Sequence, residues 1–150
     1  MKKSFPIISA IIIGLILSKF MFNQYNYDSK ISTVFKNSEK LYFVIFGIYS
    51  SKDEMEKETS NLKSYIYSLE NDKYYVYLGI TKEEKNFDKL KGYFNSIGYD
   101  VSERILNINN DSYIDLLEQY DILLSKTNDN DVIEAIASQT ITKYKESIND

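Results

Sequence analysis

Several residue types that carry chemistry are missing from this chain. There is no cysteine, so disulfides, thiolate catalysis and thiolate metal sites are excluded. There is no histidine, which removes the usual general base and the commonest metal ligand. Ser/His/Asp and Cys/His machinery therefore cannot exist here. Tryptophan is absent as well, while tyrosine occurs 14 times and phenylalanine 8 times. A net charge of −4 provides no basic footprint for nucleic acid, and no run of like charge reads as a docking tail. A hydrophobic fraction of 43% is that of a globular chain, and 150 residues leave room for one domain plus an appendage.

The amino terminus reads as a membrane segment. Lys2 and Lys3 precede an apolar stretch from Phe5 to Leu17, which Phe20, Met21 and Phe22 continue beyond Lys19. As a helix, Phe5 to Phe22 would span about 27 Å, close to a hydrocarbon core of about 30 Å. Lys19 sits near one end, where its stem can snorkel to the interface. A cleaved signal peptide is the alternative, but no small-x-small site follows the run. Residues 1–22 are thus expected to be an uncleaved, single-pass anchor in the cell membrane. Residues 23–40 are then a spacer, with the rest of the chain extracytoplasmic.

Two segments nearly repeat each other. Phe43-Val44-Ile45-Phe46-Gly47-Ile48 and Tyr75-Val76-Tyr77-Leu78-Gly79-Ile80 are aromatic, β-branched strand signals ending near a glycine. After the first, Ser50 and Ser51 supply a cap, Asp53 and Glu54 an acidic first turn, and Met55, Leu62 and Ile66 an apolar spacing. Tyr65–Leu69 and Tyr74–Ile80, joined through Asn71 and Asp72, predict a hairpin. A continuous helix over 52–69 is the competing expectation. Thr81 is expected to cap a further helix whose stripe is Phe87, Leu90, Tyr93, Phe94 and Ile97, with Gly98 ending it. Tyr99 to Ile108 can supply a last strand, and Glu103 and Arg104 suit an edge. Asp111-Ser112 precede one apolar-striped helix, and a polar linker over 126–130 leads to another.

The predicted fold is α+β. A split βαβ arrangement (βαββαβ, ferredoxin-like) occupies 41–108, with helices on one face of a four-stranded sheet. A helical extension follows over 109–150. Period-two alternation assigns Val44, Phe46, Ile48, Val76, Leu78 and Ile80 to the helix-packed side. Phe43, Ile45, Tyr49, Tyr75 and Tyr77 then point to the other, joined by Tyr65 and Tyr67.

The strand-glycine-helix repeat resembles the SPOR domain. The family's aromatic-Val-Gln-Leu-Gly run has its counterparts in Phe43 to Tyr49 and Tyr75 to Thr81. Its "helix, Gly, Tyr" ending has one in Ile97-Gly98-Tyr99. Ile45 stands where the family usually has Gln, and Ile48 where Ser or Ala is common. The resemblance covers roughly Leu41 to Ile108. It implies a module that binds peptidoglycan glycan strands, favouring strands stripped of stem peptides at division and sporulation septa. It also implies binding on the sheet face away from the helices, which here carries Phe43, Ile45, Tyr67, Tyr75 and Tyr77. Other cell-envelope proteins are possible further partners. The alternative is that the two carboxyl-terminal helices cover this face and the chain works through protein contacts, because an open face of Phe, Ile and Tyr would be a large apolar patch.

No enzyme or cofactor is expected. The pairs Asp53-Glu54 and Glu83-Glu84 suit helix starts and solvated faces rather than acid/base work. Asn128 to Asp131 fails as a calcium loop: started at Asp129, it has Glu134 where glycine is needed and Thr140 where glutamate is needed. Gly47 and Gly79 do not form a phosphate loop.

Overall fold

The aromatic and β-branched run Tyr42 to Phe46 forms the middle of β1, Glu39–Tyr49, the longest strand among the described residues. It begins two residues before the predicted Leu41. A computed structural model describes residues 38–149. The expected membrane segment and nearly all of the spacer lie outside these residues. No helix among the described residues is long and apolar enough to cross a membrane.

Beyond β1 come α1 (Lys52–Thr59), β2 (Ile66–Glu70), β3 (Lys73–Thr81), α2 (Glu84–Ser96), β4 (Ser102–Ile108), α3 (Asp111–Lys126) and α4 (Asn130–Asn149). The four strands form one antiparallel sheet in the order β2-β3-β1-β4. The fold is mixed α+β.

The hairpin, not the continuous helix, follows α1. Asn71 and Asp72 both adopt positive φ, 50° and 60°, as a tight strand turn requires. Asn and Asp tolerate that region because their short polar side chains satisfy the backbone locally. Ser51 caps α1 by accepting the Glu54 N–H at 3.2 Å. At Thr59 the hydroxyl donates back to the Met55 carbonyl at 2.8 Å, and the helix ends there, short of Leu62 and Ile66. Gly98 closes α2 at φ +94°, where a side chain would be strained.

Thr81 does not cap α2 directly. Its hydroxyl accepts the Glu83 N–H at 3.1 Å and donates to the Asp121 carboxylate on α3. The same carboxylate takes the Lys82 N–H at 2.8 Å and the Asn86 amide at 2.9 Å. Burial raises the Asp121 pKa, and these donors offset only part of that rise. The start of α2 and the middle of α3 are therefore tied by one buried polar node. Lys89 adds to it by donating to the carbonyls of Leu124 and Thr127 at 2.8 and 2.7 Å, closing the carboxyl end of α3.

Two register irregularities decide the faces of the sheet. Along β1 and β3, Val44 pairs with Gly79, Ile45 with Tyr77, and Gly47 with Val76. Leu78 is skipped on one strand and Phe46 on the other. Each extra residue inverts the alternation beyond it. Ile80 was expected on the side of Val44; instead it pairs with Phe43 and joins the opposite face. Ile48 was expected to pack under helices; it lies opposite Tyr75 and is 50% exposed. Tyr49 pairs with Tyr74 rather than lying with Tyr75.

Both faces of the sheet are covered. On one, Phe87 of α2 meets Tyr42, and α1 lies against β1 and β3. On the other, α3 and α4 bring Tyr113, Leu117 and Ile141 onto Leu41, Phe43, Ile45, Tyr77 and Ile80. Around Gly79 the packing is close on both sides: a Cβ there would lie 3.4 Å from Ala137 of α4 and from Leu90 of α2, at van der Waals contact with each. The Ile80 N–H donates to Thr140 Oγ1 at 3.1 Å, so α4 also satisfies a strand donor near the irregularity. The carboxyl-terminal helices are part of the core.

Candidate functional site

The residues expected to form an open sugar platform separate into three groups. Phe43, Ile45 and Tyr77 are 0%, 5% and 2% exposed, in the core under α3 and α4. The expectation that they point to solvent is corrected by the packing. Phe43 meets Tyr77 edge-on at 5.2 Å and Tyr144 at 5.4 Å, and Tyr144 meets Tyr113 at 5.2 Å. These contacts make a continuous aromatic wall from sheet to helix. Tyr67 is exposed, but it pairs with Val76 and stacks obliquely on Tyr74, so it belongs to the opposite face. Of the five, only Tyr75 is both on the expected face and partly open to water.

Tyr75 lies at the end of the face that α3 and α4 leave uncovered, where Ile48 and Ser102 are exposed. Around it stand residues that were not expected at the site, Arg104 having been expected only as an edge-strand residue. Arg104, on β4, places its guanidinium 4.2 Å over the Tyr75 ring. It donates to the Tyr77 hydroxyl at 2.5 Å and to both carboxylate oxygens of Glu70 at 2.5 and 3.3 Å. The Ser68 hydroxyl donates to Glu70 at 3.0 Å and lies 3.1 Å from the Tyr77 hydroxyl.

The arrangement has an unusual reach. β4 and β2 are the two edges of the sheet, with β1 and β3 between them. At about 4.8 Å per strand, the Arg104–Glu70 pair joins two strands roughly 14 Å apart, over the top of the central ones. Sequence alternation alone puts Arg104 in phase with Leu106 and Ile108, and Glu70 in phase with Ile66 and Ser68. That signal was present, but only the pairing of β1 with β4 at Phe43–Arg104 brings the two onto one face.

Electrostatics follow the contacts. The hydrogen bond from Arg104 holds the Glu70 carboxyl below its usual 4.5; burial opposes this and Ser68 assists it. Burial raises the Tyr77 phenol, so at neutral pH it remains a neutral hydroxyl that accepts from Arg104. Tyr144, raised by burial and then by the Tyr77 and Glu70 fields, borders the same cluster.

A pH prediction follows. A carboxyl whose folded pKa is depressed stabilises the fold fully above its unfolded value, and the contribution fades as pH falls through the folded one. At pH 7, Glu70→Gln should lower the melting temperature by roughly 2–4 °C, since a pair this exposed is worth about 0.5–1 kcal/mol. The gap from the parent chain should close below about pH 4.5. Thermal melts of both proteins from pH 3 to 7 measure it, and a gap that stays constant with pH would rule out the charge pairing as its source.

Among the described residues, no group of three or more Asp and Glu side chains is placed to hold a metal ion. The cluster at Tyr75 instead offers a half-exposed aromatic edge, a planar donor fork, a carboxylate and a hydroxyl. Such a set binds polyhydroxyl or carboxylate ligands through directed hydrogen bonds.

No protein-family model matches the sequence, and no curated protein matches it. Among solved structures, the chain is similar to the solution structure of the peptidoglycan binding domain of the B. subtilis cell wall lytic enzyme CwlC. The identity is 24%, the TM-score is 0.42, and the match covers 49% of this chain and 99% of that one.

Proposed function

We propose that this chain is a non-catalytic module that binds peptidoglycan glycan strands. Its amino-terminal segment would hold it at the outer side of the cytoplasmic membrane, and stripped strands would concentrate it at division or sporulation septa. The SPOR-like strand-glycine-helix repeat supports the reading from the sequence. The observation that carries it is the cluster of Tyr75, Arg104, Glu70 and Ser68 at the uncovered end of the sheet. Sugars are held by aromatic surface together with charged side chains that bond pairs of hydroxyls, and both lie within one side chain's length there. The site is smaller than a whole sheet face and is displaced to one end of it. In this reading Phe43, Ile45 and Tyr77 support the site from below.

The test is retention of the purified full chain, in detergent, on peptidoglycan sacculi with and without prior amidase treatment. Co-sedimentation with the treated sacculi is expected. A well-folded sample left wholly in the supernatant with both would end the proposal.

A second reading has its own observation. α1, eight residues long, lies against β1 and β3. On that same face Tyr67 and Leu69 of edge strand β2 stand 47% and 57% exposed. A partner in the cell envelope that pairs with this edge would make the chain a protein-interaction module. Cross-linking from position 67 in cells would discriminate the two, since glycan binding at Tyr75 leaves that edge free.

A further inference from the structure

On the glycan-strand reading, the site has the means to distinguish one chemical state of the strand from another. The guanidinium of Arg104 is held from several sides. Its central carbon lies 4.2 Å from the centre of the Tyr75 ring, one nitrogen donates to the Tyr77 hydroxyl, and its stem rises from a paired position on β4. Glu70 is held more loosely. It is the last residue of β2, next to the Asn71-Asp72 turn, and its side chain is 41% exposed against 20% for Arg104. Its side-chain partners are Arg104 and Ser68. An incoming carboxylate could take the place of the Glu70 carboxylate while Arg104 stays where it is, so the fork is already aligned.

Peptidoglycan offers such a group in one chemical state. While a stem peptide is attached, the lactyl ether of each muramic acid residue ends in an uncharged amide. Hydrolysis of that amide leaves a free carboxylate on the sugar, spaced regularly along the strand. We infer that Arg104 is the specificity-determining residue of this site, taking the free lactyl carboxylate of a stripped glycan strand in the position that the Glu70 carboxylate holds in this structure. Glu70 is then an internal competitor. It keeps Arg104 ordered and sets a threshold that an amide-linked strand, without the negative charge, does not pass.

The experiment compares binding of the full chain to three glycan preparations. They are intact peptidoglycan, amidase-treated strands, and amidase-treated strands whose carboxylates have been coupled to methylamine. The parent chain should bind the free-carboxylate strands roughly tenfold or more tightly than the methylamide strands, as loss of one partner of a close charge pair implies. Arg104→Gln should lose that preference, and Arg104→Lys, with the charge but not the fork, should keep a small part of it. Glu70→Gln, with the competitor's charge removed, should bind the free-carboxylate strands severalfold more tightly than the parent. The comparison of preparations on the parent chain does not depend on any variant folding. Equal binding of free-carboxylate and methylamide strands would overturn the inference and leave the glycan reading intact. A preference that survives in folded Arg104→Gln would do the same. Binding to none of the three would remove the glycan reading and the inference together.

Discussion

A chain ending at Asn109 will not form a soluble, cooperatively folded domain. The cut removes α3 and α4 and opens the sheet face bearing Leu41, Phe43, Ile45, Tyr77 and Ile80. Fully burying a side chain of this kind contributes about 1.5–3 kcal/mol. Losing the cover over all five is on the order of 10 kcal/mol, as large as the whole net stability of a typical domain, about 5–15 kcal/mol. Polar losses add to this. The Ile80 N–H loses Thr140, and Thr81, Lys82 and Asn86 lose the Asp121 carboxylate. Residues 38–109 should be recovered as aggregate, or as a species that binds a hydrophobic dye and melts without a sharp transition. A monomeric fragment with a single cooperative melt would mean that the two helices are an addition to a self-sufficient sheet.

Phe43→Ala should cost about 3–5 kcal/mol, the usual range for emptying a buried aromatic position. Phe43 is wholly inaccessible and lies between the rings of Tyr77 and Tyr144, so its loss leaves a cavity that neither β1 nor α4 can close without breaking other contacts. In a domain of this size the melting temperature should fall by roughly 12–20 °C. An open sugar platform predicts the reverse pattern: a nearly unchanged melting temperature and a loss of glycan retention. Calorimetry on the parent and the variant separates the two, and a drop of less than a few degrees would contradict the packing of α3 and α4 on this face.

Local features were legible because their causes are local. The Asn71-Asp72 pair marks the turn through its own backbone preferences. Gly98 ends α2 through its freedom at positive φ. Phe87, Leu90, Tyr93 and Phe94 recur at helical spacing, and all four are buried. Ile97, the next member of that stripe, is 47% exposed because it lies past the helix end, where the periodicity no longer applies.

The candidate site was much less legible. Tyr75 was identified from alternation and lies at the site, whereas Tyr67, on β2, lies on the opposite face because it pairs with Val76. Beyond the skipped residues Phe46 and Leu78, alternation named the wrong face for Ile48, Tyr49 and Ile80. Arg104 and Glu70 are 34 residues apart and sit on opposite edges of the sheet. Nothing in either neighbourhood indicates the other.

By itself the sequence determined the absence of thiol and imidazole chemistry, the order of strands and helices, the Asn71-Asp72 turn and the end of α2 at Gly98. These follow from composition, from side-chain periods and from single-residue backbone preferences, all of which act over a few residues. Only the tertiary structure decided that the second sheet face is core as well, that α3 and α4 close it, and that an arginine from one edge meets a glutamate from the other over Tyr75. Those outcomes depend on strand register and on which apolar faces meet, and a shift of one residue in register exchanges every inside for an outside.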